Sequence, residues 1–233
     1  MTRIDEIGDR IYRINTPFPG LPGGFSFNQI LVVDDEPLLF HTGGRGLFPG
    51  VRAAIAQVMP IERLKWIGFS HVESDECGAL NHLLAVAPHA TPISSKVGTM
   101  ISLGDSADRP ARGLADGEQI VTGKRTFTWI DTPHLPHGWE AGYLFESTTR
   151  TLLCGDLFTQ PGADTPPVTE GDILGPSEAF RAHVDYFSYT RQAKAHIAKL
   201  AALAPRTLAC MHGSAWIGDG AKLLGALGEA LGS

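Results

Sequence analysis

Four polar segments, each directly following a β-rich run, constrain the fold of this chain more than any other feature. The densest covers residues 70–78 and places four potential metal ligands within six positions. The others cover residues 134–140, 154–156 and 211–214. Because the ends of strands can converge on one rim of a sheet, ligands from distant segments can meet there. The sequence therefore indicates a site assembled from several strand ends.

The densest segment also has a simpler interpretation, as a solvated loop that starts a helix. Ser74 or Asp75 would cap a helix beginning near Cys77, and the neighbouring acids would interact favourably with its dipole. Taken alone, the segment leaves both interpretations open. The recurrence of histidine or aspartate after three further β-rich runs favours a shared metal site.

The remaining patterns predict an α/β protein in which a sandwich of two sheets carries helices on its outer faces. A stretch rich in proline and glycine, residues 155–175, predicts a long functional loop. The longest helix is expected over residues 176–204. Strands are predicted at residues 10–14, 28–33, 37–42, 63–70, 119–121, 126–131, 142–146, 151–154 and 207–210, and further helices at 48–59, 77–87, 95–103 and 219–231.

Composition narrows the classes of function. The 233 residues are 43% hydrophobic and 19% charged, which suits one globular domain over residues 1–233. The net charge of −6, with no basic run longer than Lys124-Arg125, argues against nucleic acid as a partner. No secretory signal or long apolar stretch is present, so no membrane association is expected. The three cysteines form no CxxC pair, and we interpret them as reduced thiols of a cytoplasmic protein.

The motifs themselves carry a family resemblance. In chain order they read HVESDECG, LPHGWEAG, LLCGDLF and CMHGS. This series resembles the metal-binding motifs of the metallo-β-lactamase superfamily, which implies an α/β fold, the αββα sandwich of two mixed sheets with helices on the outer faces. Hydrolases of that superfamily generally show HxHxDH, whereas Glu73 here occupies the middle histidine position. An HxExD motif is similar to that of the flavodiiron proteins and their oxygen-binding di-iron relatives, here without their flavodoxin domain.

The resemblance implies two metal ions and their ligands. One ion would bind His71, Glu73 and His137, the second would bind Asp75 and His212, and Asp156 would bridge both. A water, hydroxide or oxo group would complete the bridge. His137 is chosen over His134 because its spacing to Asp156 matches the flavodiiron pattern and Gly138 follows it.

Two departures from the family pattern leave roles open. Glu76 stands where the family usually has a histidine, and it can bind the second metal, hydrogen-bond a bound water or cap the helix. His41 stands where many superfamily members have an aspartate, and it can orient a ligand or have a structural role. For His134 the alternatives are a contact with a ligand or simple exposure.

The donor set supports the same site on chemical grounds. Imidazole and carboxylate together suit iron, manganese or zinc, and a larger share of carboxylate favours the harder, redox-active ions. We therefore expect two metal ions, with iron preferred over zinc and manganese.

Three functions are compatible with such a site. The first is a di-iron protein that binds, senses or reduces O2 or NO. Reduction needs an electron donor, which is a flavodoxin domain in the flavodiiron proteins and is expected to be an external partner here. The second is a zinc hydrolase of an ester, thioester, lactone or amide, in which a hydroxide between the metals attacks the carbonyl. The third is a fold that keeps only structural metal. The resemblance also implies a homodimer.

Overall fold

The computed structural model describes residues 1–232 and contains two seven-stranded sheets. In the first sheet the strands follow one another in sequence order. Neighbouring strands are antiparallel from the first to the fourth and parallel from the fourth to the seventh. These strands are β1 (Arg3–Gly8), β2 (Ile11–Phe18), β3 (Phe25–Val32), β4 (Leu38–Phe40), β5 (Trp66–Gly68), β6 (Thr91–Ser95) and β7 (Arg112–Leu114).

The second sheet is formed by the C-terminal half of the chain and is also mixed. Its strands are β8 (Gln119–Val121), β9 (Thr126–Asp131), β10 (Gly142–Glu146), β11 (Thr151–Leu153), β12 (Val168–Thr169), β13 (Thr207–Ala209) and β14 (Ala215–Ile217). Their spatial order is β12, β14, β13, β11, β10, β9 and β8. Because β10 is antiparallel to both β9 and β11, and β13 is parallel to β11, the strands β9, β11 and β13 run in one direction. Their C-terminal ends therefore lie at the same edge.

Eight α-helical segments accompany the sheets within residues 1–232. They are α1 (Phe48–Ile55), α2 (Ser74–Cys77), α3 (Leu80–Val86), α4 (Lys96–Gly98), α5 (Gly104–Ser106), α6 (Leu174–Val184), α7 (Ala193–Ala202) and α8 (Gly220–Ala230). Two 3-10 turns lie at Arg45–Leu47 and Ile61–Arg63, and a wide helical turn covers Thr99–Leu103. No described helix is both long and apolar enough to cross a membrane.

Three apolar layers hold these elements together. Phe40 and Trp129 belong to the layer between the two sheets. Helices α1 and α3 cover the outer face of the first sheet through residues such as Leu83, while α7 and α8 cover the second sheet through residues such as Leu200. Strand β10 is buried at every position because both of its faces are covered. The predicted sandwich of two mixed sheets with outer helices is confirmed.

The long helix predicted over residues 176–204 is wrong. Helix α6 ends at Val184, the next residue, Asp185, adopts a left-handed conformation with φ +53°, and α7 begins only at Ala193. The amide of Asp185 still bonds to the carbonyl of Arg181, as at a normal helix end. The break turns the following backbone toward the end of the second sheet, where the Tyr186 carbonyl meets a histidine.

The sequence patterns also missed short strands. Strands β1, β6, β7, β12 and β14 were not predicted, and β12 lies inside the expected long loop. The helix predicted over residues 95–103 is instead a series of short turns that begins at Lys96 and runs to Ser106. These strands are two to six residues long, so their pairing with neighbouring strands, rather than a clear alternation of their own, defines them.

Candidate metal centre

All four polar segments follow the C-terminal ends of strands that meet at one edge of the sandwich. His71 follows β5, His137 follows β9, Asp156 follows β11 and His212 follows β13. The amide of Gly142 donates to the carbonyl of the residue preceding His71 and ties the two sheets together at this edge. The expected convergence of ligands from distant segments is therefore present in the structure.

A first group contains two histidines and a glutamate. The Nε2 atoms of His71 and His137 are 2.9 Å apart, and the His137 Nε2 atom lies 3.1 Å from Oε1 of Glu73. Ligand atoms of all three residues lie within 4.8 Å of one another, as one metal ion requires. His71 is fully buried, whereas the side chains of His137 and Glu73 are 22% and 49% exposed. This group therefore forms the accessible side of the site.

A second group contains Asp75, Glu76 and His212, with ligand atoms again within 4.8 Å of one another. Nε2 of His212 lies 3.6 Å from Oδ2 of Asp75. Asp75 and Glu76 both belong to the short helix α2, which begins just after Glu73. Successive residues of one turn thus supply carboxylates to the two groups.

Asp156 lies between the two groups. Its Oδ1 is 3.3 Å from Nε2 of His212, and its Oδ2 is 3.5 Å from Nε2 of His71 and 3.7 Å from Nε2 of His137. The preceding Gly155 has φ +49°, and a Cβ there would lie 2.7 Å from Oγ of Ser70, so only glycine allows this approach. Asp156 thus has one oxygen facing each group, as a bridging carboxylate needs.

The three histidines are held by their other ring nitrogen. Nδ1 of His137 donates to the carbonyl of Tyr186 at 2.9 Å, and Nδ1 of His212 donates to the carbonyl of Ser26 at 2.9 Å. Because a carbonyl only accepts, Nδ1 carries the proton in both rings and Nε2 presents its lone pair to the site when the ring is neutral. Such contacts orient metal-binding histidines and fix their tautomer.

His71 is oriented through a hydroxyl rather than a carbonyl. Oγ of Ser70 lies 2.9 Å from Nδ1 of His71 and 3.0 Å from Nε2 of His41. The amide of Ser70 also donates to Nε2 of His41, so that nitrogen is an acceptor. Burial lowers the pKa of His41 to about 3, which keeps its ring neutral. The proton order therefore runs from His71 to His41: the Nδ1–H of His71 donates to Oγ of Ser70, and the hydroxyl of Ser70 donates to Nε2 of His41.

The His212 loop is braced against the first sheet. The side-chain amide of Asn28 donates to the carbonyls of Cys210 and Gly213, and the backbone amide of Asn28 donates to the carbonyl of Met211. Oδ1 of Asn28 accepts in turn from the buried Nε of Arg13. These bonds hold the backbone on both sides of His212.

The charges of the site shift the pKa values of its members. The neighbouring rings of His137, 3.1 Å away, and then His71 lower the pKa of Glu73 to about 2. Burial works to lower the pKa of His137, but the bond to Glu73 and the charge of Asp156 outweigh it and raise the pKa to about 9. Burial would also raise the pKa of Asp156, yet the charges of His71 and His212 bring it well below its usual value. His137 thus holds a proton at the position that a cation would take.

Of the predicted residues outside the six principal ligands, Glu76 and His41 lie at the site and His134 does not. Glu76 is fully buried within the second group, and with His71 and Asp156 it forms a third group whose ligand atoms lie within 4.8 Å of one another. His41 stands behind Ser70 and meets no candidate ligand atom directly. His134 is exposed, with φ +64°, and belongs to none of the three candidate groups found in residues 1–232. It lines a shallow groove beside His137 and Trp139.

A known protein family matches the segment of the chain that contains the candidate groups. The sequence model of the ODP family beta lactamase matches residues 25–213. The chain belongs to the ODP family of beta-lactamases. The matched segment contains every residue of the candidate groups in this ODP-family chain.

Two curated proteins are similar to this ODP-family chain in sequence. It is 25% identical over 190 residues to the rubredoxin-oxygen oxidoreductase of Megalodesulfovibrio gigas, a match that covers 80% of the chain and 44% of that protein. It is 24% identical over 208 residues to the nitric oxide reductase of Moorella thermoacetica, covering 86% of the chain and 52% of that protein. The chain thus spans about half the length of these relatives.

Solved structures share the fold of the ODP-family chain. The flavodiiron core from Synechocystis superposes with a TM-score of 0.86 at 20% identity, covering 99% of the chain and 60% of that structure. The flavodiiron protein from Giardia intestinalis gives a TM-score of 0.83 at 17% identity, covering 99% of the chain and 59% of that structure. The family resemblance expected from the four motifs is confirmed.

Sequence reasoning missed the groups that orient the histidines. Ser70 directly precedes His71, but nothing in its local pattern indicates a bond to His41. The carbonyls of Ser26 and Tyr186 carry no sequence signal, because every residue has a carbonyl. Their positions depend on where β3 begins and where α6 ends.

Proposed function

We propose that this chain binds two metal ions at the edge of the sandwich. One ion binds His71, Glu73 and His137, the second binds Asp75 and His212, and Asp156 bridges them. The observation that carries the proposal is the convergence of these six side chains, with Asp156 directing one oxygen to each histidine group.

The residues fit cations in two independent ways. The Nε2 atoms of His71 and His137 face each other across 2.9 Å, and Nδ1 of His137 donates to a carbonyl. If both rings were neutral, their Nε2 lone pairs would repel each other, and a cation or a proton at this position removes the repulsion. Oδ1 of Asp156 is buried and accepts no hydrogen bond from the described residues. A metal ion satisfies both arrangements.

Iron is the metal that we propose. Three carboxylates alongside three imidazoles favour a harder, redox-active ion over zinc, with manganese as the other candidate of that kind. Solved structures with the same fold include flavodiiron proteins, which supports the same choice.

We further propose that the site reduces O2 or NO with electrons from an external donor. The names of the two curated relatives, an oxygen oxidoreductase and a nitric oxide reductase, support this substrate class. When bound, ferrous iron supplies the electrons. The chain itself holds the ions through buried His71 and His212, and leaves the side of Glu73 and His137 open to solvent and to a small molecule.

The test begins with metal-free protein loaded anaerobically with ferrous iron, zinc or manganese. We expect two irons per chain, and consumption of O2 or NO by the reduced iron protein, followed with gas electrodes and sustained by an added reductant. Metal-free protein is the control. Inert iron protein, together with a zinc form that cleaves esters, thioesters, lactones or amides, would refute the proposal in favour of hydrolysis. Homodimer formation and a cytoplasmic location stay predictions from the sequence.

A further inference from the structure

Glu76 is a buried carboxylate that the six proposed ligands do not explain. Its side chain is fully buried, and neither Oε1 nor Oε2 accepts a hydrogen bond from any residue in the range 1–232. Burying a carboxylate without a partner is strongly unfavourable unless the charge is compensated. Two unsatisfied oxygens at one residue therefore point to a cation that binds there.

The backbone of Glu76 is held firmly in place. Its carbonyl accepts from the amide of Thr42 at 2.6 Å and from the hydroxyl of Thr42 at 3.0 Å. Thr42 follows strand β4, so the first sheet fixes the turn of α2 that carries the side chain. The orientation of the carboxylate is thus built into the fold.

The carboxylate of Glu76 contacts both halves of the candidate centre. Its ligand atoms lie within 4.8 Å of those of His71 and Asp156, and also of those of Asp75 and His212. Oε2 is 3.8 Å from Nε2 of His71. Glu76 belongs to two of the three candidate groups of the described chain, one containing His71 and Asp156 and the other Asp75 and His212. This position lies between the proposed ions.

A role as helix cap does not agree with these contacts. The residue at the N-terminal boundary of α2 is Glu73, and no backbone amide within residues 1–232 donates to the side chain of Glu76. The alternatives that remain are a metal ligand and an acceptor for a bound water.

We propose that Glu76 is a second bridging carboxylate, with one oxygen on each metal ion. The inference rests on the proposed two-metal site. A histidine at this position, as the family resemblance implies for relatives, would offer one nitrogen to one ion, whereas a carboxylate can join two. Glu76, Asp156, Glu73 and Asp75 then supply four negative charges, which balance the four positive charges of two divalent cations.

The test measures metal affinity rather than activity. Metal-free wild type, Glu76→Gln and Glu140→Gln are titrated with zinc and with manganese, and the bound metal is counted by mass spectrometry. Glu140 is a matched control because it is buried near the site but accepts a hydrogen bond from the amide of Val72, which glutamine can also accept. In Glu76→Gln we expect both binding steps to weaken by at least about tenfold, with Glu140→Gln unchanged.

The outcomes separate the two proposals. A wild type that never binds two ions refutes the proposed function. A wild type that binds two, with Glu76→Gln weakened at one step only, identifies a terminal ligand and overturns the bridge. Unchanged affinity at both steps identifies a residue that contacts water at most, and also overturns it.

A second variant covers the case in which Glu76→Gln does not fold. Circular dichroism of the metal-free proteins checks folding first. In Glu76→His we expect one binding step to persist and the other to weaken, because the ring can bind only one of the two ions. Two undiminished steps in Glu76→His would overturn the inference independently.

Discussion

Ser70→Ala removes the hydroxyl that connects His71 to His41 without changing any proposed ligand. In the wild type, Oγ of Ser70 accepts from Nδ1 of His71 and donates to Nε2 of His41. All three residues are buried, so water does not readily replace the hydroxyl. The variant leaves the Nδ1–H of His71 without an acceptor, while Nε2 of His41 keeps its bond from the Ser70 amide at 3.3 Å.

The expected loss follows from that one unsatisfied donor. A buried polar group left without a partner costs about 1–3 kcal/mol. A loss of about 2 kcal/mol lowers the Tm of a chain of this size by roughly 4–8 °C. Removing a group that orients a metal-binding histidine lowers metal affinity by about 10–100-fold. Both effects are expected here, with the affinity loss at the ion that we propose His71 binds.

Thermal unfolding of metal-free protein and metal titration of the same samples measure the two effects. Ser94→Ala is the matched control: Ser94 is fully buried on β6, but its hydroxyl has no hydrogen-bond partner among the described residues. Removing an unsatisfied hydroxyl should leave stability unchanged or slightly increased. If Ser70→Ala behaves like Ser94→Ala in both assays, the proposed proton order from His71 to His41 is wrong.

Four further predictions follow from the same structure. Asp156→Ala should lower the metal content below two ions per chain, and retention of two would contradict the bridging role. Glu73→His should shift metal preference toward zinc, whereas unchanged metal content would contradict the inference that Glu73 favours iron. Burial works to raise the pKa of Asp34, but hydrogen bonds from Thr122 and nearby amides outweigh it and lower the pKa, so Asp34 stabilises the fold above its unfolded pKa and this contribution is lost as pH falls through the folded pKa. Asp34→Asn should therefore lower the free energy of unfolding in urea by roughly 1–3 kcal/mol at neutral pH but little in strong acid. Equal losses at both pH values would refute this. Burial raises the pKa of Cys77 to about 11, so its thiol should react slowly with a disulfide reagent until the protein is denatured, and rapid labelling of native protein would disagree.

The sequence by itself determined which residues form the candidate site and which class of fold the chain adopts. His71, His137, Asp156 and His212 each follow a β-rich run, and this order of residue types along the chain is sufficient to indicate where ligands can gather. The strongly apolar strands, such as β10, were also predictable, because burial on both faces leaves a local pattern in the sequence. Short strands and the end of α6 left no such pattern.

Only the tertiary structure decided how those residues are arranged. The carbonyls of Tyr186 and Ser26 orient two histidines, Ser70 and His41 orient the third, and Glu76 lies between two candidate groups. These contacts join segments that are distant in the chain, and they form only when the two sheets pack and bring their strand ends together. The residue types are local information, whereas the distances among them depend on the whole packed sandwich.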